Sequence, residues 1–273
     1  MDSHLRKLEQ KSIYILREAK AKFKRIAVLW SGGKDSTTCL YLIKRAFFGK
    51  IPFPAVHLDS GHDFEETYQF MDRVKKEWNI NLIRVPVKHE KDEISGTTEG
   101  LNKAEALKKF IKENKIDALI VSIRRDEHGI RAKERYFSPR TKDFRWNFKS
   151  QPPEIFDHIS DFKEASHVRV HPLLHWTELD VWCYIKEKNI PVNPLYFAKN
   201  GKRYRSLGYK EVTVPIPSNA KTVDEIIEEL KKTDLPERVG RALDKEKEYV
   251  MQRLRELGYM SILLLLFTTP LIF

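Results

Sequence analysis

Four apolar, β-rich runs alternate with amphipathic helical patterns through the first 123 residues, and this alternation limits the chain to a narrow set of folds. The runs are "RIAVLW" (25–30), "PAVHLD" (54–59), "NLIRVPV" (81–87) and "DALIVSI" (117–123). Between them lie helix-period stretches at 36–47, 63–78 and 102–114. Strands that are apolar on both faces need cover on both faces. The pattern therefore predicts an α/β fold with a parallel twisted sheet and helices on each side. Its crossovers are right-handed by default. A fifth strand is expected near "VRVHPLL" (168–174), giving about five in all. Helices are also expected at 3–22, at 177–188 with Thr177 and Asp180 as a cap pair, and at 222–232 with Thr222 as cap. Asp63 and Glu66 have the spacing of a cap for the helix at 63–78.

The regular rhythm stops after Ile123. Residues 124–166 are polar, rich in arginine and interspersed with aromatics such as Tyr136, Phe137, Phe144, Trp146, Phe148 and Phe156. A non-periodic segment this long inside a compact domain points to function, and its aromatics argue against disorder. The expected organisation is an N-terminal helix (1–24), an α/β domain (25–190) and an extension packed on it (191–260). An apolar tail (261–273) of uncertain origin follows. The tail's apolar run is too short for a membrane span, which takes about 20 residues. It follows a natural stop at Gly258, so it reads first as a frameshift or read-through extension and next as a partner-docking or membrane-touching tail.

A formal net charge of +11 suits anionic partners, but also describes a lysine-rich solvated surface. Two cysteines, Cys39 and Cys183, without any C-x-x-C pair, argue against a cysteine-bound metal or an iron–sulfur cluster. Low cysteine usage and a charged, helix-like N-terminus fit a cytoplasmic protein. The recognised nucleic-acid motifs are missing, so no nucleic-acid partner is expected, and no membrane partner either.

The junction after the first strand carries the chemistry. "SGGKDS" places Ser31, Gly32, Gly33, Lys34, Asp35 and Ser36 where, in such a sheet, ligands bind. Glycines let backbone N–H groups approach an anion, and the following helix adds its positive end. The Walker A pattern fails here. Val28 stands where its first glycine belongs, and Asp35 stands where a Ser or Thr would hold magnesium.

The "SGGKDS" stretch resembles the signature of the PP-loop ATP pyrophosphatases, which bind the pyrophosphate end of ATP and cleave between the α and β phosphates. "HLDSGHDFEET", "RRDEHGIRAKERYFSPR", "VRVHPLLHWTELDVWCYIKEKNIPVNPLYFA" and "RYRSLGY" follow in that order. Together they make residues 20 to 258 similar to the small, catalytic subunits of bacterial sulfate adenylyltransferase. The resemblance implies conversion of ATP and sulfate to adenosine 5′-phosphosulfate and pyrophosphate, with Mg2+ arriving with ATP and a separate GTPase large subunit driving an uphill reaction. It implies that residues 31–36 cradle pyrophosphate.

Sulfate is already a nucleophile, so catalysis reduces to positioning and charge neutralisation, for which arginine forks suit oxyanions. Arg124 and Arg125 leave the fourth strand at the ligand crevice. With Lys34 they are the catalytic candidates, and Arg131, Arg135, Arg203 and Arg205 are further anion contacts. Asp59, ending the second strand, could serve ribose or magnesium, and His57 reads equally as a buried core histidine. His171 and His175 flank Pro172, which favours a structural role over a metal pair, and Trp176 and Trp182 read as packing anchors. One alternative is a sulfonucleotide reductase, which lacks its agent here because no cysteine follows Cys183. A non-catalytic nucleotide- or nucleic-acid-binding module is the other.

Overall fold

The protein is described by a computed structural model covering residues 2–87, 99–127, 129–146, 151, 153, 154, 162–233 and 237. The apolar tail at 261–273, the stop at Gly258 and the aromatics Phe148 and Phe156 lie outside the described residues.

A long helix, α1 (Ser3–Lys22), leads into strand β1 (Ile26–Leu29) and helix α2 (Lys34–Ala46). Then follow β2 (Ala55–Asp59), α3 (Glu65–Glu77), β3 (Leu82–Pro86), α4 (Glu99–Glu113) and β4 (Ala118–Ile120). The second half contributes β5 (Phe137–Arg140), β6 (His167–Val170), α5 (Glu178–Lys188), the short pair β7 (Lys202–Arg203) and β8 (Ile216–Pro217), and α6 (Val223–Leu230).

The main sheet has the order β3-β2-β1-β4-β6-β5. Five strands are parallel. The sixth, β5, runs antiparallel to β6, with Phe137 opposite Val170 and Arg140 opposite His167. This edge strand lies inside the segment expected to be irregular. Pro139 explains both facts: it cannot donate to a ladder, so it removes a strand signal from the sequence and is tolerated only at an edge. The fifth parallel strand is shorter than the sequence pattern suggested, because the chain turns after Val170 through Pro172.

Helices cover both faces. α2 buries Cys39, Leu40, Leu42 and Ile43 completely, while Asp35 in its first turn and Lys44 and Arg45 in its last complement its dipole. α1 is fastened to the body by Ser12, whose hydroxyl donates to the Pro172 carbonyl (2.7 Å) and accepts from the Trp176 indole (3.0 Å). The caps on α5 and α6 are reciprocal capping boxes, Thr177 with Asp180 and Thr222 with Glu225. The expected cap on α3 does not form. Phe64 occupies the cap position without a side-chain bond, and Asp63 lies 3.0 Å from Nε2 of His57 instead. A buried imidazole outcompetes a helix end that water can reach.

His167 sits at the start of β6, 2 % exposed, beside Arg169 and across from Arg140. Burial and the two guanidinium charges push its pKa down to about 2. The neutral ring is the folded form, so the unfolded chain binds one more proton between pH 6.5 and pH 2, and stability falls as pH drops below 6.5. At pH 5 the loss is about 2 kcal/mol. A His167→Gln variant should therefore show a flatter fall of melting temperature between pH 7 and pH 5 than the parent, read by thermal unfolding across that range.

Candidate active site

β1 pairs with β2 on one side and β4 on the other, so the chain reverses its winding between β1 and β4. In such sheets the carboxyl ends of the two strands splay helices apart and leave a crevice. The turn after β1 and the segment after β4 meet there. Gly32 takes φ +73°, a left-handed conformation, and its α-carbon packs so closely on α3 that a Cβ would lie 2.9 Å from Cγ2 of Thr67. Gly33 caps α2 in extended conformation, which puts Lys34 and Asp35 in the helix's first turn rather than ahead of it, as the sequence had suggested.

The turn is tied internally. The hydroxyls of Ser31 and Ser36 are 3.2 Å apart, the Ser36 hydroxyl donates to the Gly33 carbonyl at 3.1 Å, and the Trp30 indole donates to Thr37 at 3.1 Å. The Lys34 backbone N–H donates to the hydroxyl of Tyr196 at 2.9 Å. Tyr196 is held in place by an edge-on contact with Trp182, ring centroids 5.3 Å apart. Burial pushes the Tyr196 phenol up to about 12, so it remains a neutral acceptor. Trp182 is thus a packing anchor, with the consequence that α5 positions a residue in the site.

The centre is a buried ionic cluster. The Lys34 ammonium is 1 % exposed and lies 3.0 Å from Asp35. Arg124, fully buried, donates to Asp35 at 2.7 Å and to Asp126 at 2.6 Å. Both cations also contact the carboxylate of Glu237, one oxygen each. Asp126 accepts from the Glu178 backbone N–H at 2.7 Å, and Glu178 pairs with Arg205 at 2.8 Å. Burial works against the charges of Lys34 and Arg124, yet Asp35 and Glu237 hold both above their ordinary pKa values. Burial likewise opposes ionisation of Glu237, and the two cations override it, holding that carboxyl well below its ordinary value. Glu178 is pushed up, by burial first and by the Glu237 charge second.

A cavity of ≈ 270 Å³ opens beside the cluster. One end is apolar, with Leu29 from β1, Val56 and Leu58 from β2, Ala104 and Leu107 from α4, and Ile123. The other is polar: Ser31, Gly33, Lys34, Asp35, Ser36 and Glu237. Arg131, paired with Glu127, and Lys103 stand on the flank.

The singled-out residues divide accordingly. Residues 31–36 and Arg124 converge, Arg205 joins through Glu178, and Arg131 lines the cavity. Arg125 turns the other way, donating to the Glu134 carbonyl (2.7 Å) and Glu154 (2.8 Å) and lying 2.7 Å from His175. Arg135 donates to the Lys133 carbonyl on an exposed turn. Arg203 is buried against Glu229 of α6 at 2.9 Å, which fastens the β7–β8 pair to that helix. Asp59 is taken by the Tyr68 hydroxyl (2.6 Å) and the Gly61 N–H (2.9 Å), and the cavity wall receives His57 and Asp63 in its place. His57 is buried, with Nδ1 3.1 Å from the Trp30 carbonyl. His171 and His175 serve the turn at 135–136 and Arg125, not a common metal.

Sequence reasoning passed over Tyr196, Glu178, Asp126 and Glu237 as site residues. The capping box at Thr177 was a usable signal for Glu178, since it marks a helix start that points somewhere. Nothing local distinguishes Glu237, which is 203 residues from Lys34.

Residues 25–215 match the phosphoadenosine phosphosulfate reductase domain family. Among curated relatives, the chain is 35% identical to sulfate adenylyltransferase subunit 2 of Rhizobium tropici, over 95% of this chain and 94% of that protein. It is 37% identical to sulfate adenylyltransferase subunit 2 of Zymomonas mobilis, over 94% and 98%. Among solved structures, the Candida glabrata FMN adenylyltransferase in complex with FMN and the ATP analogue AMPCPP has TM-score 0.55 at 20% identity, over 94% of this chain and 92% of that one. The phosphoadenylyl-sulfate reductase of Candida auris, solved as a phosphate complex, has TM-score 0.54 at 19% identity, over 78% and 98%. At these identities the two structures speak to fold alone.

Proposed function

Because this chain belongs to the sulfate adenylyltransferase subunit 2 family, within the phosphoadenosine phosphosulfate reductase domain group, we propose from its geometry how it performs that reaction. It is a nucleotidyltransferase that joins ATP and sulfate into adenosine 5′-phosphosulfate and releases pyrophosphate. The observation that carries the assignment of roles is the convergence of two fully buried cations, Lys34 from the start of α2 and Arg124 from beyond β4, at the winding reversal of the sheet.

The adenine lies against the apolar end of the cavity, and the β and γ phosphates lie in the 31–36 turn at the amino end of α2. An oxygen of sulfate attacks the α phosphorus, that O–P bond forms, and the bond from the α phosphorus to the bridging oxygen breaks as pyrophosphate departs. Sulfate carries no proton to remove, so no general base is needed. Lys34 and Arg124 neutralise the charge that gathers on the departing pyrophosphate, and Arg131 stands on the flank from which a second anion enters. Exclusion of water by the apolar wall strengthens these interactions.

Magnesium comes with the triphosphate. Among the described residues no three His, Cys, Asp or Glu side chains gather as a metal cage, and Asp35 is engaged by Lys34 and Arg124. Magnesium bound with the triphosphate would neutralise phosphate charge beside the polar end of the cavity, where Ser31, Asp35 and Ser36 are the side chains that would face it. "Subunit 2" in the relatives' names makes the enzyme heteromeric. The partner that supports this uphill reaction is a GTPase large subunit, and the setting is cytoplasmic. Among the described residues no helix is long and apolar enough to cross a membrane. Neither cysteine supports reductase chemistry: Cys39 is buried in the core face of α2, Cys183 lies within α5, and neither lines the cavity.

The test is pyrophosphate release with and without sulfate, with the GTPase subunit supplied, for the parent and Lys34→Met. Release should require sulfate and fall about 10²-fold or more in the variant. Sulfate-independent release that Lys34→Met leaves unchanged would overturn the reading.

A further inference from the structure

The turn that should receive phosphates is already engaged by an anion of the chain itself. Glu237 presents one carboxylate oxygen to the Lys34 ammonium and the other to the Arg124 guanidinium, and it is 8 % exposed. These are the two buried cations on which the pyrophosphate reading above depends. Among the described residues, the cluster gathers three cations (Lys34, Arg124, Arg205) and four carboxylates (Asp35, Asp126, Glu178, Glu237), a formal balance of −1. A site with that balance repels a polyanion. Remove Glu237 and the balance is zero: among the described residues Lys34, which lines the cavity, keeps Asp35 as its carboxylate partner, and Arg124 behind it keeps Asp35 and Asp126. Asp35 cannot be the one to leave, because it belongs to the helix turn itself, and Asp126 and Glu178 are tied to each other through the α5 backbone. Glu237 arrives from 113 residues beyond Arg124, and among the described residues its carboxylate bonds to these two cations.

We propose that Glu237 is an internal competitor for the pyrophosphate end of ATP: its carboxylate and the nucleotide's terminal phosphates occupy Lys34 and Arg124 alternately. The proposal rests on the assignment of residues 31–36 as the pyrophosphate cradle. A carboxylate with two oxygens spanning an ammonium and a guanidinium is a fair copy of a phosphate edge, so the cations keep their positions whether the chain or the substrate fills them. That preorganises the site and keeps two buried charges compensated. Its consequence is a reduced apparent affinity, since only the fraction of molecules with Glu237 withdrawn can bind. In turnover the same exchange favours departure of pyrophosphate, the product that leaves the cradle. The residue thereby sets both how tightly ATP binds and how readily the leaving group is released.

The test is titration of sodium pyrophosphate into the parent, Glu237→Gln and Lys34→Met by calorimetry. Glu237→Gln keeps the shape and removes the charge. Affinity for pyrophosphate should rise roughly tenfold in Glu237→Gln, even if its melting temperature falls. KM for ATP and kcat should both decrease. In the parent, the peptide containing residue 237 should exchange its amide hydrogens faster when pyrophosphate is added, a readout that needs no variant to fold. Unchanged or weaker pyrophosphate binding in Glu237→Gln, or a peptide that gains protection, overturns the proposal. If Lys34→Met binds pyrophosphate as the parent does, it is the cradle assignment that fails, which separates the two.

Discussion

Arg124→Ala should reduce sulfate-dependent pyrophosphate release by about 10²- to 10³-fold, the range for removing one charge-stabilising donor from a water-excluded site. The same substitution should destabilise the fold. Arg124 donates to Asp35 at 2.7 Å and Asp126 at 2.6 Å and pairs with Glu237, and its loss leaves those carboxylates short of counter-charge. Breaking a buried ion pair from one side costs about 3–5 kcal/mol. Asp35 and Asp126 are part-exposed and can turn to water, so the burden falls on Glu237. Two companions sharpen the expectation. Arg124→Lys keeps a charge but not the fork that reaches three carboxylates, so it should recover part of the stability and little of the rate. The pair Arg124→Ala with Glu237→Gln should recover stability without activity, because the orphaned carboxylate is then gone. Thermal unfolding and pyrophosphate release read the two effects separately. A single variant Arg124→Ala that turns over at the parent rate would remove this residue from the mechanism.

Gly32→Ala is the second large effect, and it arises from shape rather than charge. At φ +73° a side chain is strained by about 1–2 kcal/mol. The new Cβ would also stand 2.9 Å from Thr67 Cγ2 and 3.1 Å from Met71 Cγ. Thr67 cannot swing away freely, because its hydroxyl accepts from the buried Asn193 amide at 2.9 Å. Overpacking of this kind costs about 1–3 kcal/mol, so a combined loss of about 2–5 kcal/mol is expected. The turn would shift away from α3 and carry the Gly33 and Lys34 amides with it, so turnover should fall with stability. Gly49→Ala is the control. It has φ +90° and nothing within 4 Å of a built Cβ, so it carries the strain without the clash and should leave turnover intact. Equal behaviour of the two variants would show that close approach of the turn to α3 is not what the glycine serves.

The parts of the site that were legible in the sequence share one property: each is local. The 31–36 turn announces itself because glycines, serines and a lysine at the end of an apolar run have few other uses together. Arg124 was readable because it directly follows the apolar run 117–123 in a sheet whose ligand edge is known. Its neighbour Arg125 had an equal claim by sequence, but the irregular chain beyond β4 sends it to His175, Glu134 and Glu154 instead. Arg203 and Arg205 repeat the lesson. They are two residues apart, yet the first closes on Glu229 and the second on Glu178 beside the cluster. Asp59 and Asp63 each meet a partner other than the expected one, because Tyr68 and Gly61 claim the first and His57 the second.

The sequence by itself determined the layered α/β sheet, the alternation of its first four strands with helices and the position of the turn at 31–36, because hydrophobic period and glycine placement act over a few residues and are written in consecutive letters. Only the tertiary structure decided which charges meet. It brought Tyr196 to the Lys34 amide and Glu237 to both cations. It also added β5 as an antiparallel edge, despite Pro139, through pairing with β6. Electrostatic and ladder partners lie up to 203 residues apart. Their selection depends on which surfaces the packed core leaves facing one another, and no local pattern carries that information.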